Sequence, residues 1–250
     1  MSIMKLESFK KDLDSLNQNE KTENDYRFVV QDYYSREERH YCAFLFSWLL
    51  QNPENIKTFL LNFDKPLINK SEAINHKNVK LFYEFTWLRD IIYEFGRHSK
   101  LKGQKKEDLK SELNDSVFND VGDIQKKKPD LAIYLKNSKK LILIEAKFEG
   151  DFDEDQIVET QKYGESLIKL LGENIIEEVV VPLLGRDYYL DKLRGINKED
   201  SEKDKEEKRE SYTNSCFSWE NLAVKIENNN IIKDEIQMGL KNQRRIHPRT

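Results

Sequence analysis

The chain has 250 residues, 38% of them hydrophobic and 35% charged, with a formal net charge of −4. Its 13 Phe, 11 Tyr and 3 Trp can fill an interior, which excludes a disordered chain and fits one large domain or one domain with an appendage. The acidic balance excludes a uniformly basic nucleic-acid binder, and two cysteines exclude a disulfide framework or a thiolate zinc site.

Cys42 and Cys216 both stand among apolar neighbours and read as buried free thiols. The apolar run Tyr41 to Leu50 is too short to span a bilayer. Met1 to Asp14 lacks a basic-then-apolar leader pattern, so a cytoplasmic location is expected. Charge is uneven along the chain. Lys100, Lys102, Lys105, Lys106 and Lys110 cluster before Lys126, Lys127 and Lys128, and Arg244, Arg245 and Arg249 mark the C-terminus. Such runs are ordinarily solvated loops, yet local basic patches contact phosphates even in an acidic protein.

In chain order, a polar stretch 1–35 holds a short helix around Ile3 to Leu16. Ser35 and Glu38 have capping-box spacing and open a helix that stops before Pro53, with Tyr41, Phe44, Leu45, Trp48 and Leu49 on its apolar face. A short helix is expected over 54–63. A stronger one is expected over 77–96, with Leu81, Phe85, Leu88, Ile91, Ile92 and Phe95 as its stripe and Gly96 as its stop. Glu84 lies in phase with that stripe. A carboxylate there needs an Arg, the stripe's edge or a metal, because an unpaired buried charge is costly. Residues 97–128 read as a lysine-rich loop, with a first strand within Val117 to Ile124.

Pro129 to Lys147, PDLAIYLKNSKKLILIEAK, reads as a β-hairpin. A helix follows over 153–171, ended by Gly172, and then a buried strand over 175–184. The Lys- and Glu-rich stretch 191–214 carries too little apolar surface to fold alone and reads as a flexible excursion. A short strand near 216–219, a closing helix from Trp219 and another helix over 231–242 complete the chain. No internal repeat is present. The expected organisation is a helical N-terminal extension, 1–76, packed on a core of 77–250.

The chemistry concentrates in the hairpin. Strand side chains alternate faces, so Leu141, Leu143, Glu145 and Lys147 share one, and Asp130, Ala132 and Tyr134 share one on the strand before. If Ala132 opposes Glu145, then Asp130 opposes Lys147 and the loop is Asn137 to Lys140. A slip of two residues keeps the three polar groups together, and a slip of one separates them. Two converging carboxylates are oxygen ligands suited to Mg²⁺ or Mn²⁺, which sits about 2.1 Å from its ligands. The backbone carbonyl of Ala146 or Phe148 is a candidate further ligand. Lys147 is placed to orient an attacking water or to stabilise a pentavalent phosphate. The histidines, His40, His76, His98 and His247, have no ligand spacing, and no phosphate-binding glycine loop is present.

Pro129-Asp130 followed by Glu145-Ala146-Lys147 resembles the PD-(D/E)XK nuclease superfamily, the restriction-endonuclease-like fold. The resemblance covers roughly residues 81–184, with Phe217 to Ile226 as a closing strand and helix. It implies an αβββαβ core, a mixed α+β fold with a central mixed sheet flanked by helices, and Mg²⁺-dependent hydrolysis of phosphodiester bonds. Asp130 and Glu145 would be metal ligands and Lys147 the catalytic lysine. Gln161 or Gln156, with Tyr163, resembles the Gln/Tyr element that some branches place on the following helix. A further Glu from a helix before the sheet would be Glu84, or Glu37 or Glu38. The expected function is a DNA nuclease in a restriction, repair or anti-phage role. The alternative is a silent nuclease fold that binds nucleic acid or serves assembly. The helical N-terminal third is left to DNA recognition, a partner subunit or a homodimer interface.

Overall fold

The computed structural model describes residues 38–85, 128–226 and 230–246. The helix expected to stop before Pro53 is α1, Glu38–Gln51, with Tyr41, Cys42, Leu45, Trp48 and Leu49 buried. Asn52 then caps α2, Pro53–Leu61: its side chain accepts the Glu54 N–H at 3.0 Å, and Pro53 stands at the first helical position, where no N–H is needed. The N-terminal polar stretch, including Ser35, and the stretch expected to hold a strand over 117–124 lie outside the described residues.

Five strands form the main path of a mixed sheet and a sixth lies beside it. They are β1 (Val79–Tyr83), β2 (Leu131–Leu135), β3 (Lys140–Ala146), β4 (Glu178–Val180), β5 (Leu183–Gly185) and β6 (Cys216–Ser218). The order is β1-β2-β3-β5-β6, with β4 also paired to β3. β1, β2 and β3 are antiparallel neighbours, while β3 with β4, β3 with β5 and β5 with β6 are parallel. The helices α3 (Glu154–Leu171), α4 (Asp187–Leu193), α5 (Glu202–Ser211), α6 (Trp219–Lys225) and α7 (Asn230–Ile246) complete the order. The result is a mixed α+β fold with a central mixed sheet flanked by helices.

The two faces of β2 and β3 bury two different clusters, as the alternation of a strand covered on both sides demands. Leu131, Ile133, Ile142 and Ile144 join Tyr41, Phe59, Trp219 and Ile236 on one side. Ala132, Leu141 and Leu143 join Tyr163, Leu167 and Leu190 on the other. At the far edge, Asp64 closes β6: its N–H donates to the Cys216 carbonyl at 3.0 Å and its Oδ1 accepts the Cys216 N–H at 2.7 Å. Among the described residues no helix is long and apolar enough to cross a membrane.

Three elements differ from expectation. Residues 79–83 are β1, not the start of a helix. Leu81 and Phe85 have helical spacing, but Leu81 packs on one side of the sheet and Phe82 and Phe85 on the other. A short apolar run supports either period, and pairing with β2 decides it. The strand expected over 175–184 is two strands. Pro182 has no N–H to give the ladder, and β3 changes partner from β4 to β5 at that point. The stretch 191–214 contains α5, which buries no residue. Local chemistry supports it instead: a full capping box between Ser201 and Asp204, and ion pairs Lys205–Glu202, Lys208–Asp200 and Arg209–Asp191.

α3 lies close on the sheet because Gly164 has no side chain. A Cβ there would strike Val179 on β4. Gly164→Ala gains about 1 kcal/mol of helix propensity and loses about 1–3 kcal/mol to overpacking. The expected outcome in urea denaturation is a net loss in the unaltered protein and a gain when the same change is made in, and compared with, a Val179→Ala background.

His40 on α1 stands 3.8 Å from Glu235 of α7, with its ring edge-on to Tyr41 and Phe44. Burial holds its pKa below the ordinary value, with Glu235 partly offsetting this. The unfolded chain therefore takes up this proton first. Stability contributed here is present above the ordinary histidine value and is lost as pH falls from it through the depressed one. Thermal melts from pH 8 to 5 should show that loss, and His40→Gln should reduce it.

Candidate active site

The hairpin register sets the site. Ala132 opposes Leu143 and Leu131 opposes Ile144, a slip of two residues from the pairing of Ala132 with Glu145. Continuing it places Asp130 opposite Glu145. An even slip preserves the face, so Asp130, Glu145 and Lys147 remain at one open end. The loop is residues 136–139, again four residues, with Lys139 at φ 49° closing it. This is the end at which β1, β3, β5 and β6 all finish and β2 begins.

Glu145 is 3% exposed. A carboxylate that deep needs donors, and α3 brings two from one helical face. The Thr160 hydroxyl donates to Oε1, and Gln156 Nε2 donates to Oε2 at 2.8 Å. Asp153 starts the helix by accepting the Asp155 N–H, which fixes the turn that carries Gln156. Asp130 is half-buried, and its Oδ2 accepts the Ala146 N–H at 2.9 Å. The N–H groups of Glu145 and Lys147 donate the other way, to the carbonyls of Pro182 at 3.2 Å and Leu184 at 2.8 Å on the β5 side. The Ala146 N–H therefore points to the β2 edge, and the carbonyl of the same residue lies on that edge too. Beyond Leu131, where regular pairing stops, the Asp130 side chain takes the place of a strand partner.

Lys147 is half-buried, with its backbone held from both sides. Its carbonyl accepts the Trp219 indole N–H at 3.1 Å. The next residue, Phe148, stacks on Tyr41 of α1 with centroids 3.5 Å apart and planes 9° apart. Alternation sets the Lys147 side chain on the face of Glu145.

The other candidates separate. Glu84 is not on a helix before the sheet: it follows β1 at φ 48°, an uncommon conformation for a side-chain-bearing residue, and its N–H donates to the Asp130 carbonyl at 2.9 Å. Pairing of β1 with β2 thus brings it beside Asp130 by another route. Glu37 and the side chain of Glu38 lie outside the described residues. Gln161 is not at the site. It donates to Glu165 at 3.2 Å and lines a separate cavity of about 220 Å³ with Leu67, Val179 and Asn214. Five residues turn a helix by about 500°, so Gln161 leaves the face that Gln156 shares with Thr160 at i+4. Tyr163 is a core residue: it is fully buried, and its hydroxyl donates to the Phe85 carbonyl at 3.4 Å. Thr160 is a site residue that the motif does not point to. Its signal is the stripe Gln156, Thr160, Gly164, small or polar at every fourth position of an otherwise apolar side.

Among the described residues no group of three His, Cys, Asp or Glu could hold a metal ion. Asp130, Glu145 and the Ala146 carbonyl make an oxygen-only set. That set fits Mg²⁺ or Mn²⁺, which commonly takes one or two protein carboxylates and completes its shell with water and phosphate. Comparison of the chain with protein-family models, with curated proteins and with solved structures gives no match.

Thr160→Val keeps the shape of the side chain and removes the donor to Glu145. Its expected cost is about 1.5–3 kcal/mol, the range for a hydrogen bond to a charged group. Urea denaturation checks this. In a Glu145→Gln background the same change should cost less, which a double-mutant cycle reads directly.

Proposed function

We propose that the chain is a metal-dependent nuclease of the restriction-endonuclease-like, PD-(D/E)XK kind that hydrolyses phosphodiester bonds of DNA. The observation that carries this reading is the convergence of Asp130, Glu145 and Lys147 at one open end of the sheet, with Glu145 held by Gln156 and Thr160. The order α1-α2-β1-β2-β3-α3-β4-β5 among the described residues supports it, since it contains the αβββαβ form that the motif implies, with α1 and β4 as additions. Asp130, Glu145 and the Ala146 carbonyl would hold Mg²⁺ or Mn²⁺. When bound, the ion neutralises charge on the phosphate and makes a coordinated water more acidic.

The chain's own groups have separate tasks. Gln156 and Thr160 fix the rotamer of Glu145, and the Ala146 N–H fixes Asp130, so both carboxylates are oriented before substrate arrives. The Lys147 ammonium offsets charge growing on the phosphate oxygens as water attacks and the bond to the leaving oxygen breaks. Pinning of its backbone by Leu184 and Trp219 limits the drift of that charge.

One observation favours a second reading, a nuclease fold that binds DNA or serves assembly without cutting. Both oxygens of Glu145 are engaged by α3 at 3% exposure, so its present geometry also serves simple core satisfaction. Linear, circular and single-stranded DNA, and RNA, incubated in Mg²⁺, Mn²⁺ or EDTA separate the two. Cleavage of DNA in Mg²⁺ or Mn²⁺ is expected, lost in EDTA and reduced about 10²-fold or more in Lys147→Ala. Unchanged cleavage in either arm rules out the mechanism. Tight DNA binding without cleavage of any substrate supports the second reading.

A further inference from the structure

Lys147 stands between two rims of opposite charge. On the β2 side, Lys128 precedes Pro129 at the open end where β2 begins, and it is exposed. On the β5 side lies the segment 149–155, Glu-Gly-Asp-Phe-Asp-Glu-Asp, with five carboxylates and neither Lys nor Arg. Glu149, Asp151, Asp153, Glu154 and Asp155 are all exposed.

This acidic segment is held where it is. Phe152 is buried, and its ring fills the space over Gly185 at the end of β5, where a Cβ would lie 2.6 Å from it. Asp151 pairs with Lys192 of α4, and Asp153 caps α3. Acids in a first helical turn are ordinary partners of the helix dipole, which accounts for Asp153 to Asp155, and Lys192 accounts for Asp151; neither accounts for Glu149. Whatever their role in the helix, these carboxylates are exposed and follow directly on Lys147 and Phe148 in the chain. Asp155 is one residue before Gln156, which touches Glu145. The screening length is about 8 Å at physiological salt, so charges this near are felt at the site.

Duplex DNA carries one negative charge per about 1.7 Å of axis. With a phosphate at Lys147, an uninterrupted strand must lay phosphates over both rims, whereas a strand end need cover only the Lys128 rim. We infer that DNA reaches this site from the Lys128 side and stops at the acidic segment, so that the site acts on free ends and disfavours uninterrupted strands. The inference rests on the nuclease reading for its chemistry, and on the two rims alone for its preference.

The test compares linear duplex with covalently closed circular duplex of the same sequence. In Mg²⁺ or Mn²⁺ the linear form should be shortened from its ends, and the circle should be opened at least about tenfold more slowly, the low end of electrostatic effects on association. The variant Glu149→Gln, Asp151→Asn, Glu154→Gln, with its fold checked by thermal melting, should narrow that gap. Lys128→Ala should weaken DNA binding and lower the salt slope by about one. Opening of the circle at the rate of linear digestion, or an unchanged gap in the triple variant, overturns the inference. Binding in EDTA keeps it separate from the cleavage reading. There a short linear duplex should compete for the protein better than the closed circle, and the triple variant should equalise them. If nothing is cut, the nuclease reading fails while this competition still decides the preference, equal competition by the unaltered protein overturning it.

Discussion

A carboxylate at 3% exposure cannot be tolerated without donors, and Glu145 is that carboxylate. Its two partners come from a single helical face, so α3 must start where it does, run antiparallel to β3 and approach the sheet closely enough for Thr160 to reach. Gly164, one turn on, allows that approach by leaving room for Val179. The cap at Asp153, the polar stripe of α3 and the packing of β4 are therefore parts of one constraint. A change in any of them moves the oxygens of Glu145.

The same constraint extends to the other face of the sheet. Lys147 and Phe148 leave β3 just past its last paired residue, where a chain would ordinarily become a free loop. Instead Leu184 and Trp219 hold the backbone of Lys147, and Tyr41 stacks on Phe148. α1 and α6, far apart in sequence, are thereby tied to the strand end that carries the polar groups. Helical material before the sheet consequently supports the site as well as the core. α1 buries Tyr41, Leu45 and Trp48 in the cluster that also holds Ile142 and Ile144.

Much of this architecture is legible in the amino-acid sequence. Apolar runs bounded by Pro129 and the loop around Asn137 mark the hairpin, and an even slip of its register leaves the grouping of Asp130, Glu145 and Lys147 intact. α1 and α3 follow from helical spacing and from the stops at Pro53 and Gly172. Where expectation and fold part, the cause is shared: a local pattern does not contain its partner. Leu81 and Phe85 fit a helix as well as a strand, and only β2 lying beside them selects the strand. α5 lacks an apolar face, and its capping box and ion pairs outweigh the charge that argues against order there. Of two glutamines on α3, only rotation about the helix axis separates Gln156 from Gln161.

Residue types and their periods by themselves determined which faces of β2 and β3 are apolar and which polar groups end them, because side-chain alternation is a property of the backbone. They also determined where α1 and α3 stop, through Pro53 and Gly172, whose effects are local. Only the tertiary structure decided which donors meet Glu145, that Glu84 arrives beside Asp130 along β1, and that Phe152 seats the acidic segment on the end of β5. Those are contacts between elements, and their free energy depends on distances that no local pattern contains.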